Sequence, residues 1–283
     1  MRFLILIMIL FLNLQAKPFF SNKEQENTSK YIESLKNLIL ATQKTRGLTN
    51  SYLNGNTAAM LLVFSNRDDM KSAIGNMESL PLAADPVINA RATAISQKLI
   101  KLNRKAFKWE PKKIFDAYTE QIAQTLMLAQ SVSKRFAKDL SPFGKEISSE
   151  MMENMLPMTE YTGRLRGLGA GIAAKGKVTK DDMQNIMELT YQLQKFNTKL
   201  QTNMQKIIQK YPHKLPSTIK TELKSIDKNV NEYITVAQKK LLKSPSKVDP
   251  DEYFDQGTAL ISSIIQAYNT SNKAIMEDSK GWL

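Results

Sequence analysis

Proline and glycine divide this chain into long segments that carry a helical period, and that pattern restricts it to an all-α fold. The breaks fall at Asn54-Gly55-Asn56, Pro81, Pro86, Pro111, Pro142, Gly176, Pro212, Pro216 and Pro250. Between them lie about eight predicted helices, over residues 27–54, 57–79, 87–105, 112–138, 145–175, 178–211, 216–242 and 250–277. Pro157 lies inside the fifth and predicts a kink or a restart there. Thr179, followed by Asp181 and Asp182, is a candidate N-cap for the sixth. No stretch alternates as a half-buried strand would.

Two short sequences occur twice. Arg-Gly-Leu stands at 46–48 and again at 166–168, and Phe115-Asp116-Ala117-Tyr118-Thr119 is echoed by Phe254-Asp255-Gln256-Gly257-Thr258. Sparse identities follow, Ile122 with Ile261 and Lys134 with Lys273. These matches predict an internal duplication: two up-and-down four-helix bundles, over halves of about 24–140 and 143–278.

Each Arg-Gly-Leu arginine sits where a core residue is expected. Leu35, Ile39, Thr42, Arg46, Thr49 and Leu53 form one helical stripe, and Met152, Met155, Thr159, Thr162, Arg166, Gly169 and Ala173 form another. Neither stripe contains Asp or Glu, yet a buried guanidinium keeps its charge and needs an anion. Gly163, Gly167 and Gly171 make a bare strip that predicts close helix–helix contact, with Gly47 on the partner helix. That contact would set Arg46 opposite Arg166, two cations repelling each other, so that removing either would cost the ligand-free protein little. A planar guanidinium matches a flat oxyanion bidentately, and the hydroxyls of Thr42 and Thr162 could add donors. Arg164 is the weaker candidate, because Glu160 lies four residues before it and is expected to pair with it at the surface.

Composition excludes several classes. There is no Cys, which removes thiolate metal sites and disulfides, and the single His213 follows Pro212 in a predicted loop. No catalytic grouping, phosphate loop, metal site or cofactor motif can be assembled. Lys and Arg total 40 against 27 Asp and Glu, but the lysines are interleaved with Asn, Gln and Glu on polar faces, and nucleic acid is not an expected partner. Arg2 followed by the apolar run Phe3 to Leu12, closing at Ala16, is the pattern of a signal peptide over residues 1–16. Cleavage would leave 17–283 as an exported, periplasmic protein; an uncleaved anchor is the alternative.

At Gln43 to Leu48, Gly163 to Leu168, and the Phe-x-x-x-Thr segments 115–119 and 254–258, the chain resembles the nitrate- and nitrite-sensing domain family. The resemblance implies an all-helical bacterial sensor module, known from extracytoplasmic receptor regions and some transcription antiterminators. It implies nitrate or nitrite held by arginines of separate helices, carried here onto Arg46 and Arg166. An exported sensor of this kind would pass its state to a separate membrane receptor or envelope protein, and a homodimer is compatible with it. A helical adaptor or scaffold of the envelope, or a binder of another small anion such as a carboxylate, are the alternatives.

Overall fold

The computed structural model describes the backbone of residues 2–281 and the side chains of residues 23–281. The signal-peptide expectation concerns residues whose side chains lie outside those described. Among the described residues there is no strand, and no helix is long and apolar enough to cross a membrane.

The helices are α1 (Arg2–Leu53), α2 (Ala59–Glu78), α3 (Pro86–Lys105), α4 (Pro111–Phe136), α5 (Pro142–Glu150), α6 (Leu156–Lys175), α7 (Lys180–Lys210), α8 (Thr218–Val236) and α9 (Pro250–Ser279). Their ends follow local chemistry. Pro86, Pro111, Pro142 and Pro250 each stand in the first turn of a helix, where the missing N–H costs nothing. The Asp85, Ser141 and Asp249 side chains accept from first-turn amides that have no partner within the helix, at the starts of α3, α5 and α9. Thr179 caps α7 as expected, and Asp182 completes a reciprocal capping box. Gly176, at φ 63°, closes α6 in the left-handed conformation that glycine adopts without strain.

Two boundaries differ from expectation. Helix already holds at Lys23, ahead of the expected start at 27; the good helix formers Lys23, Glu24, Gln25 and Glu26 carry the helix through Asn27 and Thr28. At Pro157 the rod neither stops nor simply bends: α5 and α6 are joined by a π-helical turn, Met151–Met155. A widened turn places the proline ring without a clash against the carbonyl four residues back. A second π turn, Ala237–Leu241, ends α8.

α1 and α6 are the central helices. α1 packs against α2 and α4, α6 against α7 and α9, and the two cross each other; α3 covers α4 and α8 covers α9. The apolar core is one continuous cluster that runs from Tyr31 in α1 to Ile275 in α9, so the halves do not enclose separate interiors. The α1–α6 crossing lies where both arginines are.

Candidate functional site

The two stripes, the second beginning in the π turn before α6, are buried as their spacing predicts except at Leu53, which is partly buried, and they carry Arg46 and Arg166 inward at 0% and 3% exposure. The crossing point is set by glycine. A Cβ on Gly47 would lie 3.3 Å from the Gly167 Cα, and one on Gly167 would lie 3.0 Å from the Gly47 Cα. Gly171 faces Asn50, whose Nδ2 donates to the Gly167 carbonyl at 2.9 Å. The glycine strip therefore serves close backbone approach.

The two arginines have settings of matching design. Arg46 Nη1 donates to Thr119 Oγ1 at 2.8 Å, and its guanidinium lies 4.8 Å from the centre of the Phe115 ring. Arg166 Nη1 donates to Thr258 Oγ1 at 2.8 Å, and its guanidinium lies 4.3 Å from the centre of Phe254. Thr119 and Thr258 spend their own protons on the carbonyls of Phe115 and Phe254. Each hydroxyl oxygen is thus turned toward its arginine as an acceptor, and each ring face adds cation–π attraction. The glycines cross over: Gly47 makes room for Phe254, and Gly167 for Phe115, with ring carbons only 2.7 and 2.9 Å from where a Cβ would be.

The counter-charge is where the two settings part. Glu160 does not pair with Arg164 at the surface; it turns inward and grips Arg46, Oε1 to Nη1 at 2.6 Å and Oε2 to Nη2 at 3.2 Å. The expectation that Arg46 lacks a carboxylate is corrected on this point. Gly163, one turn along α6, leaves the space that the Arg46 Nη2 occupies, 3.2 Å from where a Cβ would stand. Gln43 Nε2 also donates to Glu160 Oε2 at 3.1 Å.

Arg166 has no such partner. Six residues before each arginine the two helices differ, Glu160 in α6 and Leu40 in α1. No ion pair joins Arg166 to any carboxylate among the described residues. Burial, reinforced by the nearby charge of Arg46, lowers its pKa to about 10; Tyr233, Glu160 and Asp255 oppose that shift. Its Nε is buried without an acceptor, and its stem rests on Gly257, where a Cβ would lie 2.8 Å from the Arg166 Cβ. Arg166 and Thr258 line a pocket of about 500 Å³ together with Leu40, Gln43, Lys44 and Glu222. The Gln43 Oε1 and one carboxylate oxygen of Glu222 are buried there without hydrogen-bond partners.

The remaining candidates fall elsewhere. Thr42 and Thr162 donate to the carbonyls of Leu38 and Met158, so their protons are spent within their own helices, and the expectation of two extra hydroxyl donors is corrected. Arg164 lies 5.9 Å from the centre of the Tyr161 ring and lines a different, polar pocket with Asn50, Thr119 and Asp182. Among the described residues no group of three or more His, Asp or Glu could hold a metal ion.

Glu160, Thr119 and Thr258 were not singled out from sequence as site residues. A signal for Glu160 was present. It stands three residues before Gly163 and seven before Gly167, at the head of the glycine strip that faces α1. For the threonines the signal is the four-residue step from Phe115 to Thr119 and from Phe254 to Thr258, which puts ring and hydroxyl on one helix face.

No curated protein matches the chain. The structure of the NasR transcription antiterminator is similar in fold, with a TM-score of 0.63 over 97% of this chain and 74% of that one, at 12% identity. The family described as nitrate and nitrite sensing matches residues 37–276. With that match spanning both arginines, both Phe-x-x-x-Thr segments and the crossing between them, the chain belongs to the nitrate- and nitrite-sensing family.

Proposed function

We propose that this protein is an exported sensor that binds nitrate or nitrite, without transforming it, at the crossing of α1 and α6. One observation carries the reading: Arg166 is buried, oriented by Thr258 and Phe254, and paired with no carboxylate, although Glu222 lines the same pocket. A buried, fixed guanidinium with an unmatched charge is a receptor for a small planar monoanion. Lys44 at the pocket wall adds positive character. The repeated Arg–Thr–Phe settings support an internal duplication as their origin. The ligand would report on the fit between two helices that reach both halves, and a separate membrane receptor or envelope protein would take up that signal.

Calorimetric titration of the purified protein with nitrate, nitrite, chloride, formate and acetate tests the reading. Nitrate or nitrite should bind and raise the melting temperature by linkage. Truncating one side of a buried charge contact costs about 2–5 kcal/mol, so Arg166→Ala should weaken binding well over tenfold. No heat and no thermal shift with any of these anions would favour the envelope adaptor. Periplasmic localisation is proposed from Arg2, the apolar run and Ala16. Intact mass of protein from the envelope fraction tests it, since a mass retaining residues 1–16 would mean an anchored protein.

A further inference from the structure

We propose that Glu160 is an intramolecular competitor of the ligand, its carboxylate holding the anion place on Arg46 that an external oxyanion would otherwise take. This deepens, and rests on, the nitrate and nitrite reading of the same crossing.

The argument is a comparison of two nearly equal settings. Both arginines donate to a threonine hydroxyl and lie over a phenylalanine ring, so neither contact distinguishes them as anion receptors. The counter-anion does. Arg46 holds both oxygens of Glu160, at 2.6 and 3.2 Å. The O–C–O edge of a carboxylate and the O–N–O edge of nitrate or nitrite offer the same pair of acceptors to a guanidinium fork. On Arg166 no ion pair is made: Leu40 stands at the position that matches Glu160, and Glu222, the carboxylate of that pocket, does not reach the guanidinium. Glu160 is thus shaped like the ligand and sits where a ligand would.

The two places are also coupled. Gln43 donates to Glu160 Oε2 at 3.1 Å and lines the Arg166 pocket, with its own oxygen buried and unpartnered. The charge of Glu160 is felt at Arg166, where it favours the protonated guanidinium. The same field repels an anion approaching that pocket. Glu160 therefore weakens binding twice, by occupying one guanidinium and by opposing the charge of the ligand at the other. It sets the affinity of the site and the number of anions it can hold.

Two variants test this. Glu160→Gln keeps the shape and removes the charge, and it should bind nitrate at least about fivefold more tightly than the parent. Glu160→Ala empties the place opposite Arg46. Formate, which is the missing carboxylate as a free ion, should raise the melting temperature of this variant much more than that of the parent. Nitrate should then titrate with two equivalents per chain in place of one. Unchanged or weaker nitrate binding by Glu160→Gln would overturn the competition. A folded Glu160→Ala protein indifferent to formate would overturn the assignment of the anion place on Arg46. If Glu160→Ala does not fold, Glu160→Gln decides alone. If the parent ignores nitrate and nitrite, the sensor reading fails, while formate rescue of Glu160→Ala still decides what Glu160 does.

Discussion

At the scale of single residues, two arginines from one repeated tripeptide face opposite electrostatic situations, and mutation should separate them. Arg46 is fully buried and its partner Glu160 has a side chain only 10% exposed. Deleting one member of a buried pair leaves the other charge uncompensated, a cost of about 3–5 kcal/mol. Arg46→Ala should accordingly melt lower by roughly 5–10 °C. Arg166 has no ion-pair partner, and burial disfavours its charge. Arg166→Met, which keeps the stem packed on Gly257 and Phe254, should melt at or above the parent temperature when no anion is present. The sequence suggested that either arginine could be removed cheaply, because two facing cations repel. That holds only where no carboxylate intervenes. A residue between two stripe positions, Glu160 beside Thr159, is ambiguous by periodicity, because both a surface partner on its own helix and a buried partner on another are within reach. Thermal melts of the two variants in anion-free buffer check the contrast, and equal losses would contradict it.

At the scale of elements, the breaks were legible because proline and glycine act through the backbone itself. The capping box at Thr179 and the left-handed stop at Gly176 follow from a few adjacent residues. The π turn Met151–Met155 was legible only as a disturbance at Pro157, not in its form, and Ala237–Leu241 contains no residue type that demands one. The glycine strip was legible as a contact surface, while the rings that meet the crossing, Phe115 at Gly167 and Phe254 at Gly47, were not. That arrangement gives a graded prediction. Gly47→Ala would put a methyl group 2.7 Å from Phe254 Cε2 and 3.3 Å from the Gly167 Cα. Overpacking of this kind costs about 1–3 kcal/mol. Displacing Phe254 should also weaken nitrate binding, because that ring supports Arg166. Gly75, in an exposed turn of α2 with nothing within 4 Å of a new Cβ, is the control. Gly75→Ala should raise stability by about 0.5–1 kcal/mol through helix propensity alone and leave anion binding unchanged. Denaturant midpoints and nitrate titrations on the same samples would test both halves of this prediction.

At the scale of the whole molecule, the continuous core across both halves makes stability a property of the entire chain, and its buried tyrosines predict how that stability ends in alkali. Tyr31, Tyr118, Tyr233, Tyr253 and Tyr268 all lie in the core. Burial pushes the Tyr31 phenol up to about 12 and raises the other four above their ordinary value as well. An acid whose pKa is higher in the folded state contributes stability that is complete below its unfolded value, near pH 10. That contribution is lost as pH rises toward the folded value, because the unfolded chain releases its proton first. Each such group removes about 1.4 kcal/mol per pH unit above pH 10, so five together would remove about 7 kcal/mol per unit. Arg166 works the other way: its folded pKa of about 10 lies below its unfolded one, so the unfolded state holds the extra proton and this single group adds stability as pH rises. One opposing proton cannot balance five. Against a total stability of about 5–15 kcal/mol, the protein should unfold cooperatively within one to two pH units above pH 10. Tyrosinate absorbance near 295 nm should then rise together with the loss of helical circular dichroism. Tyr31→Phe should move that midpoint upward. Buried tyrosines that ionise smoothly well before the helices melt would show that the core admits water while still folded.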